Sequence, residues 1–249
     1  MTNYIKADIR RILHKNTFLT AVGIFLALYV GLVFIYFNPS FTADMYVAKI
    51  TSYLSYFPLI VGLFVFMSVY ADDFKCKSMQ VAIGYGFSRS RIIAAKLAES
   101  FLLLTGVGII TGVLINIVPS VIGLGMDGSQ HLNLTLTIAA EILRTAGYIA
   151  ISAIAIFASQ NAVNGIIFYV LFSTKSVYII LSMILGQDIL VNMIGDLTKY
   201  LYTPQLYAAR AAIIQHGTIG VAPIVAIVVY VLLPAVISAV VFRKKELEF

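Results

Sequence analysis

Stretches of about twenty apolar residues recur along this chain, and that recurrence constrains its fold more than any other feature. A helix of about 20 residues crosses ~30 Å of hydrocarbon. Six such stretches are read by hydropathy, at residues 17–37, 53–71, 97–119, 138–159, 163–185 and 220–242. Composition agrees: 61% of the 249 residues are hydrophobic and 11% charged, where a soluble domain has roughly a quarter charged. Such a chain has too little polar surface to cover a water-soluble core, so a soluble enzyme is excluded. The expected fold is all-α: one polytopic transmembrane domain across residues 1–249, with six transmembrane helices.

Orientation follows from where Lys and Arg fall, because cytoplasmic loops carry the excess. Lys6, Arg10, Arg11, Lys15, Lys75, Lys77, Arg89, Arg91, Lys96, Arg243, Lys244 and Lys245 share one side, 12 of the 17 basic residues. The other side holds Lys49, Lys199 and Arg210, while Arg144 and Lys175 fall within spans. Both termini are expected in the cytoplasm, which an even number of crossings requires. The net charge of +6 is thus a topology signal and points to no nucleic-acid partner.

Between the spans, residues 3–15 place Ile5, Ile9, Ile12 and Leu13 on one helical stripe. This predicts an amphipathic helix on the inner leaflet, its cations near lipid headgroups. Residues 1–16 are too charged and too long before the first apolar run, with no small-residue cleavage site behind a short core, so no cleavable signal is expected. A tight polar turn is expected near Gln160, Asn161 and Asn164. Residues 186–219 repeat apolar positions at helical spacing, and part of this segment is expected to lie on or dip into the outer interface.

Few residues carry chemistry. There is no G-x-x-x-x-G-K-[ST], hence no P-loop, and the single Cys76 allows no internal disulfide. The glycines Gly108 and Gly112 read as close helix packing. His14, His131 and His216 are far apart, and the aspartates lie in loops or tails, which disfavours metal and intramembrane-protease chemistry. Ionisable residues inside spans are the remaining candidates. Glu141 and Arg144, spaced i, i+3, read as an ion pair near the outer end of the fourth span. Lys175 is the thirteenth residue of the fifth span, roughly 18 Å in by helical rise, and is expected to line a cavity or pair with Glu141 or Glu99. Glu99 sits at the water-accessible end of the third span. The loop over 72–96 holds a helix-compatible run broken by Gly84 and Gly86, suited to docking on a soluble partner.

The run Lys77-Ser78-Met79-Gln80-Val81-Ala82-Ile83-Gly84-Tyr85-Gly86-Phe87-Ser88-Arg89, with Lys96 beyond it, resembles the first cytoplasmic loop of type-2 ABC export permeases. The closing Phe242-Arg243-Lys244-Lys245-Glu246-Leu247-Glu248-Phe249 is similar to that family's C-terminal motif, although Lys77-Ser78 stands where a Gly-Thr pair is common. Within the family the size and short loops resemble bacterial peptide-exporting and lantibiotic-immunity permeases, including those for phenol-soluble modulins. The resemblance implies a coupling helix seated in a separate ABC ATP-binding subunit, with Phe74, Met79, Val81, Ile83 and Tyr85 at the contact and Arg89 and Lys96 holding the helix–span junction. It implies no cofactor on this chain, with ATP and Mg in the partner subunit. It further implies a second permease chain completing the pore, a homodimer by preference, and an amphipathic peptide substrate moved outward across a bacterial plasma membrane. The residues themselves do not select peptide over drug or lipid. A non-transporting scaffold or sensor subunit and an ion-driven transporter are the competing readings.

Overall fold

A computed structural model describes residues 1–76 and 78–244. Lys77, where the resembling loop run begins, and residues 245–249, most of the C-terminal motif, lie outside the described residues, as does the Lys75 side chain. The described residues form helices and no strand: α1 (Thr2–Leu13), α2 (Asn16–Tyr36), α3 (Ala43–Phe74), α4 (Ser78–Gly84), α5 (Arg89–Val121), α6 (Gly128–Ser159), α7 (Ala162–Ser173), α8 (Ser176–Leu185), α9 (Asp188–Ile194), α10 (Tyr202–His216) and α11 (Val221–Lys244). Five of these, α2, α3, α5, α6 and α11, are long and apolar enough to cross a membrane; α7 with α8, bent by 58°, makes a sixth if the pair is one span. This is a helical membrane protein.

Three helices differ from the hydropathy reading. The second runs from Ala43, ten residues before the expected start at 53. Asp44, Lys49, Thr51 and Ser52 dilute its apolar signal, yet Tyr46 and Ile50 are fully buried, and Tyr46 Oη donates to the Ile115 carbonyl at 2.8 Å. The fourth begins at Gly128 because Asp127 and Gln130 form a capping box, Asp127 accepting from Gln130 N at 2.7 Å and Gln130 accepting from Asp127 N at 3.0 Å. The fifth is broken. Ser173 and Thr174 hydroxyls bond back to the Val170 carbonyl, competing with the helical ladder, and Lys175 adopts φ 62°.

Helix α6 is the central element, packing against α3, α5, α7, α10 and α11. Gly108 of α5 lets it approach, since a Cβ there would stand 2.3 Å from Ile142 Cδ1. The turn from α6 to α7 uses Gln160 at φ 50° and Asn161, whose Oδ1 accepts from Val163 N at 2.8 Å. Part of residues 186–219 packs against the bundle. Although Ile189, Met193 and Ile194 are exposed, α10 folds back and buries Tyr202, Thr203 and Leu206. Tyr202 stacks on Tyr230 and donates to the Leu143 carbonyl at 2.6 Å.

Helix α3 is irregular, with π-helical turns at Pro58–Gly62 and Met67–Ala71. Pro58 has no N–H to give, so nearby carbonyls need other donors in a medium without water. Tyr169 Oη supplies the Pro58 carbonyl at 2.6 Å and Arg144 Nη2 the Ser55 carbonyl at 2.9 Å. Gly62 makes room for this. A Cβ there would stand 2.0 Å from Tyr169 Oη and 2.4 Å from Thr145 Cγ2. Gly62→Ala should therefore cost about 2–4 kcal/mol, combining overpacking with a lost buried hydrogen bond. Gly23→Ala, with nothing within 4 Å of its Cβ, should be neutral. Thermal unfolding of both variants in detergent checks the contrast.

Candidate functional site

Two charged clusters lie in the bundle, one at the C-terminal end of α3 and one beside its first half, at Thr51 and Ser55. The first gathers where α1, the end of α3 and the start of α5 meet. Lys96 is fully buried, and its Nζ lies 2.5 Å from Asp8 and 3.1 Å from Glu99, with Asp73 also paired to it. Arg11 closes the cluster at 2.6 Å from Asp8 and 2.9 Å from Asp73. Lys15 pairs with Asp72. Burial alone would raise the Asp8 carboxyl; the neighbouring Lys96 ammonium, with Arg11, holds it below its ordinary value instead.

This geometry corrects two expectations. Glu99 is buried, not water-accessible. Asp73, read as a loop residue, lies in the last turn of α3. Arg11 and Lys15 of the N-terminal region pair with Asp73 and Asp72, while Lys6 and Arg10 are exposed. Asp8 was missed by sequence reading. Its signal was the Asp8–Arg11 i, i+3 spacing, which is common on any helix surface.

Beside this cluster hangs α4. It ends in a Schellman turn, with Gly86 at φ 87°, Phe87 N bonded to the Ala82 carbonyl at 3.1 Å and Gly86 N to that of Ile83 at 2.9 Å. Met79 faces inward at 4% exposure, while Val81 and Tyr85, one turn apart, face outward at 57% and 83%. Ile83 is half-buried, and Phe74 packs on Phe157 at 5.7 Å. Of the five residues expected at a partner contact, Val81 and Tyr85 are thus the ones most openly presented. Phe87 packs on Tyr4 of α1 at 5.6 Å. Arg89 Nη1 donates to the Phe242 carbonyl at 2.6 Å and that of Arg243 at 3.2 Å, binding the start of α5 to the C-terminal end of α11.

The second cluster centres on Glu141 and Arg144, 2.5 Å apart and each 1% exposed. They do not form an interfacial pair. Because α6 starts at Gly128, Glu141 is its fourteenth residue and both side chains are enclosed by the bundle. Arg144 spends its other donors on Tyr207 Oη at 2.8 Å and the Ser55 carbonyl at 2.9 Å. Glu141 borders a cavity of about 350 Å³ with Thr51, Ser55, Lys175, Tyr207 and Arg210. Lys175 sits at the α7–α8 break, half-buried.

Comparison with protein-family models, curated proteins and solved structures finds no match. Tyr207 and Arg210 were not singled out from sequence as members of the second cluster, because they lie more than sixty residues from Glu141 and only the return of α10 brings them there.

Proposed function

We propose that this chain is the permease subunit of an ATP-driven exporter of the type-2 ABC kind, embedded in a cell membrane with its α1–α4 end in the cytoplasm. ATP and Mg are held by a separate ATP-binding subunit, a second permease chain completes the pore, and the cargo is an amphipathic peptide. Support for six crossings comes from the bonds of Arg89 to the end of α11, and of Lys96 to α1, which bring both ends of the described chain to one end of the bundle. An even number of crossings has that property, and α7 with α8 then counts as one. The excess of Lys and Arg at this end favours its cytoplasmic placement.

The observation that carries the reading is α4 itself. It is a short helix beside the bundle with an outward apolar and aromatic face, Val81 and Tyr85, and with Met79 buried on its inner side. It packs on the end of α3 and the start of α5, the two long helices that the charged cluster joins to α1, so a force on α4 reaches both. Exposed aromatic residues of this type anchor interfaces.

The test is co-purification with an ATP-binding subunit, followed by transport and hydrolysis assays in proteoliposomes. Val81→Asp with Tyr85→Asp should lower substrate-stimulated hydrolysis at least about tenfold, the loss of one interface anchor. Membrane insertion and melting temperature should stay unchanged. Unaltered coupling in this variant refutes the assignment of α4. Met79→Asp is a poor probe, because it buries a charge and harms the fold directly.

A further inference from the structure

The second cluster has more positive charge than it uses. Arg144 pairs with Glu141, and Lys175 and Arg210 line the same cavity as that carboxylate, so three cations stand near one anion. Arg144 takes that carboxylate at 2.5 Å. Lys175 has no ion pair or side-chain hydrogen bond among the described residues, and Arg210 has no ion pair there either: it donates to Thr137 Oγ1 at 2.9 Å and lies over the Tyr207 ring at 5.6 Å. Both line the cavity of about 350 Å³, whose remaining wall includes the hydroxyls of Thr51, Ser55 and Tyr207. Unpaired cations in such a setting are costly unless something compensates them.

The break at Lys175 adds a second element. Helix α8 starts there, and the free N–H groups of its first turn carry partial positive charge. Discontinuous helices inside membranes use such half-helix N-termini toward anionic groups. Phe172 and Tyr178, three residues before and after Lys175, line an apolar, aromatic cleft with Leu181, Tyr202 and Tyr230. A cationic cavity that includes Lys175 and an apolar cleft thus both lie near one helix break.

We infer that this cavity binds the anionic head of an amphiphile, a phosphate monoester or a carboxylate, with its hydrocarbon part in the aromatic cleft. Lys175 and Arg210 pair with the head, and the hydroxyls of Thr51 and Tyr207 complete its hydrogen bonds. This site does not depend on how transport is powered, so it stands or falls apart from the exporter reading.

The experiment measures binding of a fluorescent-tail decyl phosphate to purified full-length chain in neutral detergent. The same tail on decanol serves as the uncharged match, on decanoate as the second anion, and inorganic phosphate as the headless anion. Decyl phosphate and decanoate should bind saturably and decanol at least about tenfold more weakly, the value of one charge-assisted contact. Lys175→Gln and Arg210→Gln should each weaken decyl phosphate about tenfold or more with unchanged melting temperature, and Lys175→Arg should restore it. Equal binding of decanol, or unaltered binding in the double Gln variant, overturns the inference. Displacement by millimolar inorganic phosphate with no contribution from the tail overturns the amphiphile assignment. Loss of decyl phosphate binding in phosphatidylglycerol nanodiscs, with binding kept in phosphatidylcholine ones, identifies anionic membrane lipid as its competitor and supports the anionic-head chemistry.

Discussion

Lys96→Met should largely abolish folded protein, with a stability loss of about 3–5 kcal/mol, the cost of removing one partner from a buried ion cluster. Lys96 is fully buried and is the ammonium shared by Asp8, Asp73 and Glu99. Without it, three carboxylates face one another with Arg11 as the nearby cation, and Arg11 is 43% exposed. Arg11→Ala should by comparison cost about 1 kcal/mol or less, as exposed pairs do. Pairing Lys96→Met with Glu99→Leu should recover part of the loss, because one of the uncompensated carboxylates is then gone. Denaturant unfolding in detergent measures all three; equal losses for Lys96→Met and Arg11→Ala would overturn the shared-ammonium account. Acid offers an orthogonal arm. The Asp8 carboxyl is held below its ordinary value, so its contribution is present above the usual carboxylate range and is lost as pH falls through the lowered value. Helix α1 should detach in acid before the long helices unfold.

Arg144→Met should cost a similar amount, about 3–5 kcal/mol, for a different reason. It strands Glu141 inside the bundle and also removes the donors to Tyr207 Oη and the Ser55 carbonyl. The carbonyl is the graver loss, since it lies beside the interruption at Pro58 where α3 lacks its own donor. Glu141→Gln leaves Arg144 its two other acceptors and should be milder, and Glu141→Leu with Arg144→Met should cost less than the sum of the single changes. The cycle is read by melting temperature and by protease resistance of α10, which Arg144 holds through Tyr207. An additive cycle would show that the two side chains act independently.

Much of the helix inventory was legible because bilayer crossing needs length and apolarity, and both are local properties. The long helices α2, α5 and α11 coincide with apolar runs within a few residues at most ends, apart from the eight-residue extension of α5 back to Arg89. What hydropathy missed were polar extensions. Ten residues of α3 and ten of α6 carry Asp, Lys, Thr, Gln or His, and they are helical because caps and buried tyrosines hold them. The π turns of α3 were illegible for the same reason, since their carbonyls are answered by Tyr169 and Arg144 from distant parts of the chain.

The charged residues show the division most sharply. Sequence alone could name Glu99, Glu141, Arg144 and Lys175 as unusual, because a charge inside an apolar run is costly wherever it points. It also pointed to a helical membrane protein, since continuous apolar runs of about twenty residues fit a spanning helix, whereas a barrel strand is shorter and alternates. It could not say which charges meet. Lys96 joins Asp8 and Asp73, and Arg144 reaches Tyr207, across separations that helical spacing does not encode. Only the packing of α1 and α10 against the long helices decided those partners, because a buried charge is compensated by whatever the tertiary structure carries to within a few ångströms of it.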